Sequence, residues 1–205
     1  MKPEETGSRY DRLALYWQKQ HSNSTYGLAA LERAIKFTEN KFTENKSTAL
    51  DVGCGSSGRF IEVLIEHGFV PAGVDISAEM ISLASERHPE VTFYAADICT
   101  WQLPQKYDLI SAWDSTFHLP LAEQKPVLKK MCEGLNSKGV LLFTCGGTSG
   151  PEEISGGFEG ETFDYSTLGV NEFLRLMDEF GCTCKHVEYD QFPENHVYMI
   201  AQKTE

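Results

Sequence analysis

The sequence predicts an α/β fold, a parallel sheet flanked by helices, and two observations carry that reading. From Ser47 onward, short apolar runs alternate with stretches of helical periodicity, the spacing of successive βαβ units. One strand-to-helix turn also carries Gly53, Gly55 and Gly58 in the G-x-G-x-x-G spacing. Glycines so placed let the backbone turn sharply and approach a nucleotide-like ligand without a Cβ in the way.

The elements follow in order. Residues 9–37 mix apolar and polar positions at helical spacing, with Leu28, Leu31, Ala34 and Ile35 on one face. They predict one or two helices, separated by the Asn and Ser cluster at 22–25. Residues 1–46 are therefore expected as a helical cap, and 47–205 as the α/β domain, within one globular unit. The end of this cap holds a tandem repeat, Lys36–Asn40 followed by Lys41–Asn45, which carries no functional reading. Ala49–Val52 reads as a strand and Gly58–His67 as a helix with Phe60, Ile61, Leu64 and Ile65 on its apolar side. Val70–Asp75 reads as a strand, and Ala78–Arg87 as a helix capped by Ser77. Strands are expected at Val91–Ala95, Tyr107–Trp113 and Val140–Cys145, with a helix over Leu121–Leu135 between the last two. Residues 146–168 form a long glycine-rich connection, read as a lid or a segment without regular structure. A helix near Val170–Phe180 and two strands near Cys184–Asp190 and Val197–Gln202 complete the pattern.

Composition narrows the function classes. The 205 residues carry a formal net charge of −12, with no cluster of Lys and Arg to offset it, so nucleic acid is not expected as a partner. No run reaches the roughly 18 apolar residues of a membrane span, and the polar N-terminus lacks an apolar leader. The chain thus reads as cytoplasmic, and its six cysteines as reduced thiols with no paired C-x-x-C metal site. No metal is expected.

Three acids surround the glycine turn in sequence. Asp51 precedes it, Asp75 ends the second strand, and Asp97 follows the third. A carboxylate at the position of Asp75 can accept ribose hydroxyls, and one at Asp97 can accept from an adenine amine. Asp51 would repel a pyrophosphate but suits a ligand that carries an ammonium and a sulfonium.

With these residues in view, Leu50–Gly58, Val74-Asp75, Ala96-Asp97-Ile98, Tyr107–Trp113 and Leu135–Phe143 resemble, in order and spacing, the motifs of class I S-adenosylmethionine-dependent methyltransferases. The resemblance implies a Rossmann-like three-layer sandwich: a seven-stranded, mostly parallel sheet with an antiparallel last strand and helices on both faces. It implies S-adenosylmethionine over the carboxyl ends of strands one to four, against Asp51, Gly53, Cys54, Gly55, Asp75, Ile76, Asp97, Ile98 and Trp113. Met80 either packs on the adenine or belongs to the core.

The segment Trp113-Asp-Ser-Thr-Phe-His118 follows the fourth strand, where such enzymes place groups that meet the methyl acceptor. Asp114 and His118 are the candidate catalytic residues, with His118 as a base near neutral pH. The Asn/Asp-Pro-Pro-Tyr/Phe motif of members acting on planar nitrogens is absent, so a small-molecule acceptor is expected. Tyr10, Tyr16, Trp17, Tyr26, Phe163 and Tyr165 either wall the acceptor pocket or simply pack. Two other readings stay open: a nicotinamide-dependent oxidoreductase, from the glycine spacing alone, and a binding module without catalysis.

Overall fold

The computed structural model describes residues 2–21, 23–38 and 46–204. Nine strands and six helices occur among them: α1 (Pro3–His21), α2 (Leu28–Ile35), β1 (Thr48–Val52), α3 (Arg59–Glu66), β2 (Val70–Asp75), α4 (Ala78–Arg87), β3 (Thr92–Ala95), β4 (Tyr107–Ala112), α5 (Leu121–Glu133), β5 (Leu135–Gly146), β6 (Glu152–Phe158), β7 (Glu161–Thr167), α6 (Val170–Glu179), β8 (Cys182–Glu188) and β9 (His196–Lys203). The main sheet has seven strands in the order β3-β2-β1-β4-β5-β9-β8. Strands β1 to β5 run parallel, and β9 lies antiparallel between β5 and β8. This is the mixed seven-stranded sheet that the motifs imply. The chain moves outward from β1 to β3 and then returns to β4 on the other side of β1. The crevice at the carboxyl ends of β1 and β4 is therefore a topological switch point, where open α/β sheets bind ligands.

Both faces of the sheet are covered, which is why its strands read as unbroken apolar runs. Along β4 and β5, Leu109, Val140 and Leu142 face α2 and α3, while Ile110, Leu141 and Phe143 face α5 and α6. Ala30, Leu31, Ala34 and Ile35 of α2 are all buried against the first face. Ser77 caps α4 as its sequence predicts, its Oγ accepting the Met80 N–H at 3.1 Å.

Several expectations need correction. Helix α1 begins at Pro3, earlier than periodicity suggests; proline suits a first helical position, and Glu4 and Glu5 suit the first turn. In α3 the buried face is Phe60, Ile61, Val63 and Leu64, while Ile65 is exposed. Ile65 stands about 40° further round the helix than Ile61 and so passes the edge of the contact. The glycine-rich connection is not structureless: β6 and β7 pair as an antiparallel hairpin apart from the main sheet. Its two-residue turn, Glu159-Gly160, has positive φ at both positions, the geometry that matches strand twist. Of the tandem repeat, residues beyond Thr38 lie outside the described residues. Among the described residues no helix is long and apolar enough to cross a membrane.

Candidate active site

The carboxyl ends of β1, β2 and β4 open into a cavity of about 200 Å3, roofed by α1. Pro3, Thr6, Tyr10, Trp17 and His21 of α1 line it, positions that recur on one helical face. Asp11 and Arg12 are among the residues that hold the roof. Asp11 accepts from the Ser77 hydroxyl at 2.6 Å and the Glu79 N–H at 3.2 Å, so it meets the positive end of α4. Arg12 grips Glu161 of β7 with both arms, at 2.6 and 2.8 Å.

Every residue that the sequence proposes for the cofactor lines this one cavity. Asp51, at the end of β1, is buried and accepts the Ser111 hydroxyl at 2.7 Å. Burial pushes its pKa up to about 7, against the pull of Ser111 and Arg59. Asp75, at the end of β2, accepts the Gly55 N–H on one oxygen and the Ser77 N–H on the other, both at 2.9 Å. Burial raises its pKa, and these two backbone bonds oppose the rise. Each oxygen retains a second acceptor site, enough for a pair of hydroxyls. Asp97 accepts the Cys99 N–H at 2.9 Å on Oδ1, and Ile98 and Met80 also line the cavity. Trp113 is buried between Tyr26, Phe60 and Tyr198, so most of its ring belongs to the core beneath the cavity.

The glycines divide by role, which corrects the reading that all of them yield space to a ligand. A Cβ at Gly53 would stand 2.2 Å from the Ser115 Cβ, and one at Gly58 would stand 2.3 Å from the His88 Nε2. Both glycines make room for protein. A Cβ at Gly55 meets nothing within 4 Å, so of the three it is the one where an added Cβ would enter open space. Cys54 and Ile76 line the cavity beside it.

Asp114 and His118 line the same cavity. Asp114 has φ +49°, unusual for a side-chain-bearing residue, and its N–H donates to the Thr144 hydroxyl at 2.8 Å. Its carboxylate accepts from His196 Nε2 at 2.9 Å, and His196 Nδ1 meets Asp190 at 2.6 Å. Burial works against a charged His196, but the hydrogen bonds to Asp114 and Asp190 outweigh it and its pKa is raised. An Asp–His–Asp chain thus holds Asp114 from behind. Its members come from β9 and the turn before it, and no local motif marks them.

His118 departs from expectation. Its Nδ1 faces the Asp164 carbonyl at 3.1 Å, so Nδ1 carries the proton and Nε2 accepts the Tyr10 hydroxyl at 2.7 Å. Burial holds its pKa at about 4, not near neutral. The ring is therefore neutral, and its lone pair is taken by Tyr10, whose own pKa burial pushes far up. Of the aromatic candidates, Tyr10 and Trp17 line the cavity. Tyr16 packs on Phe158, Tyr26 on Trp113, Phe163 on Tyr10 and Tyr165 on His118. His21 and Arg59 line the cavity without having been marked in sequence, although Arg59 directly follows the glycine turn.

Residues 49–139 match the family model described as a methyltransferase domain. The chain is 30% identical over 115 residues to a ubiquinone biosynthesis O-methyltransferase of Coxiella burnetii (strain Dugway 5J108-111), covering 53% of this chain and 47% of that one. It is 36% identical over 93 residues to a trans-aconitate 2-methyltransferase of Agrobacterium fabrum, covering 44% of this chain and 35% of that one. The chain thus spans about half or less of the length of the curated relatives it matches. Among solved structures, the N-methyltransferase NodS of Bradyrhizobium japonicum, in complex with S-adenosylhomocysteine, superposes with a TM-score of 0.70 at 14% identity, covering 100% of both chains. An S-adenosylmethionine-dependent methyltransferase of Clostridium acetobutylicum superposes at 0.69 with 15% identity, covering 96% of this chain and 100% of that one. At such identities the likeness is one of fold.

Proposed function

Because the chain carries a methyltransferase domain over residues 49–139 and shares its fold with S-adenosylmethionine-dependent methyltransferases, we propose that it transfers a methyl group from S-adenosylmethionine to a small-molecule acceptor. The observation that carries the reading is the acid set around one cavity: Asp51, Asp75 and Asp97 at the ends of neighbouring strands, with open space at Gly55. The donor set fits the cofactor. Asp75 takes the ribose hydroxyls on its two remaining acceptor sites, and Asp97 takes the adenine amine. Ile76, Met80 and Ile98 cover the adenine. Asp51 balances positive charge, and it is a poor neighbour for a pyrophosphate.

When bound, S-adenosylmethionine supplies an activated methyl with a neutral thioether as leaving group. The chain's own work is alignment and charge control. Asp114, held by His196 and Thr144, orients the acceptor and takes the proton it loses. Tyr10 presents its oxygen to the acceptor while its hydroxyl donates a hydrogen bond to His118 Nε2, which makes His118 a positioning residue. Helix α1 excludes water from above. We further read residues 1–46 as a cap on the domain of residues 47–205, and the protein as cytoplasmic, with neither nucleic acid nor metal as a partner.

Calorimetric titration with S-adenosylhomocysteine and, separately, NADH tests this reading. Binding of the first in the micromolar range, with none of the second, is expected. The reverse pattern would replace the methyltransferase by a nicotinamide-dependent oxidoreductase.

A further inference from the structure

Arg59 opens α3 and lines the cavity, half-buried, with its guanidinium 5.6 Å from the centroid of the Phe60 ring. Its Nε donates to the Tyr26 carbonyl at 3.0 Å, and its other guanidinium nitrogens make no hydrogen bond among the described residues. Each of the remaining arginines has a carboxylate nearby, although Arg9 Nη1 is buried without a hydrogen-bond partner. Arg9 and Arg12 meet Glu161, Arg33 meets Glu188, Arg87 meets Glu62, and Arg175 meets Glu172, each within 4.0 Å. Arg59 alone has no carboxylate at that distance among the described residues. Burial lowers its pKa, and Asp51 and Asp114 act on it only through space. An arginine without its anion leaves a planar fork of donors unmatched beside the cavity.

We propose that Arg59 is a carboxylate-binding residue of the cavity, gripping one carboxylate of a bound ligand with its free Nη groups. The neighbours select the ligand's charge. A dianionic phosphate beside Asp51 and Asp114 would be repelled by both. A single carboxylate next to a cationic group satisfies Arg59 and the two acids together, the pattern of an amino-acid zwitterion. The amino-acid end of S-adenosylmethionine has that chemistry, and so has a carboxylate-bearing acceptor. The proposal rests on the methyltransferase reading for its choice of ligands.

The test compares wild type, Arg59→Gln and Arg59→Lys by calorimetry, with thermal melts to establish that each variant folds. S-adenosylhomocysteine carries the amino-acid end, and 5′-methylthioadenosine has the same nucleoside and thioether without it. Arg59→Gln is expected to weaken S-adenosylhomocysteine about 10- to 100-fold and to leave 5′-methylthioadenosine unchanged, with Arg59→Lys in between. That result puts the carboxylate on the cofactor. If both nucleosides bind unchanged but Arg59→Gln abolishes benzoate binding to the S-adenosylhomocysteine-loaded protein, the carboxylate belongs to the acceptor. Equal weakening of both nucleosides, or no change with any of the three ligands, overturns the proposal. Wild-type protein that binds neither nucleoside would sink the cofactor reading, a result distinct from failure of the Arg59 assignment alone.

Discussion

His118 shows how far a side chain's chemistry depends on what folds around it. In sequence it is a loop histidine after a strand, able to titrate near neutral pH. In the fold, Tyr10 and the Asp164 carbonyl take both of its nitrogens, and burial holds its pKa at about 4. The consequence for stability has a definite sign. The unfolded chain binds a proton near the ordinary histidine value of about 6.5, whereas the folded chain resists until about 4. Stability is therefore undiminished above the unfolded value and is lost as pH falls through this window, by up to roughly 3 kcal/mol. Urea unfolding of wild type and His118→Gln at several pH values between neutral and acid should show a gentler acid slope in the variant. Equal slopes would remove His118 as the source. Asp51 moves in the opposite direction, since burial raises its pKa to about 7. A cation beside it would favour its ionised form.

At the scale of elements, the turn between β1 and α3 separates folding from binding within one short motif. Gly53 and Gly55 have φ of +70° and +59°, and both favour glycine. Only Gly53 is pressed by protein, with the β4 loop at Ser115 where a Cβ would stand. Gly53→Ala is expected to lower stability by about 2–4 kcal/mol, from strain and collision together. Gly55→Ala is expected to lower it by about 1 kcal/mol, while its new methyl enters the cavity and weakens S-adenosylhomocysteine binding. Thermal melts and calorimetry on the two variants separate these effects; an equal loss of stability would refute the distinction. The glycine spacing was legible in sequence, but these two roles were not, because the loop that meets Gly53 arrives from β4. The β6–β7 hairpin was missed for a similar reason. Ser155-Gly156-Gly157 shows no alternation of apolar and polar residues, and among the residues that β7 buries, Phe163 and Ser166 meet Tyr10, His118 and Gln124, partners distant in sequence.

For the molecule as a whole, the two N-terminal helices do different work. Helix α2 buries Ala30, Leu31, Ala34 and Ile35 in the core shared with Phe60 and Trp113. Helix α1 instead roofs the cavity and is held by Asp11 and Arg12 at its polar edges. A chain cut to residues 47–205 is expected to lose cooperative unfolding, because it exposes that core. A chain lacking only residues 2–21 is expected to stay folded and lose S-adenosylhomocysteine binding. Near-ultraviolet circular dichroism melts on both truncations check this, and cooperative unfolding of the shorter chain would mean that α2 is dispensable.

The sequence by itself determined the α/β class, the order of elements through β5, and the acids that sit at strand ends beside the glycine turn. These are short-range properties: periodicity sets the element, and parallel strands deliver their carboxyl-terminal residues to one edge of the sheet. Only the tertiary structure decided what those residues meet. Tyr10 reaches His118 across 108 residues, and His196 reaches Asp114 across 82. Arg59 has no carboxylate partner among the described residues and rests instead on the Tyr26 carbonyl and the Phe60 ring. Such pairings depend on the antiparallel return of β9 and the docking of α1, and no local spacing encodes a partner that the chain supplies from so far away.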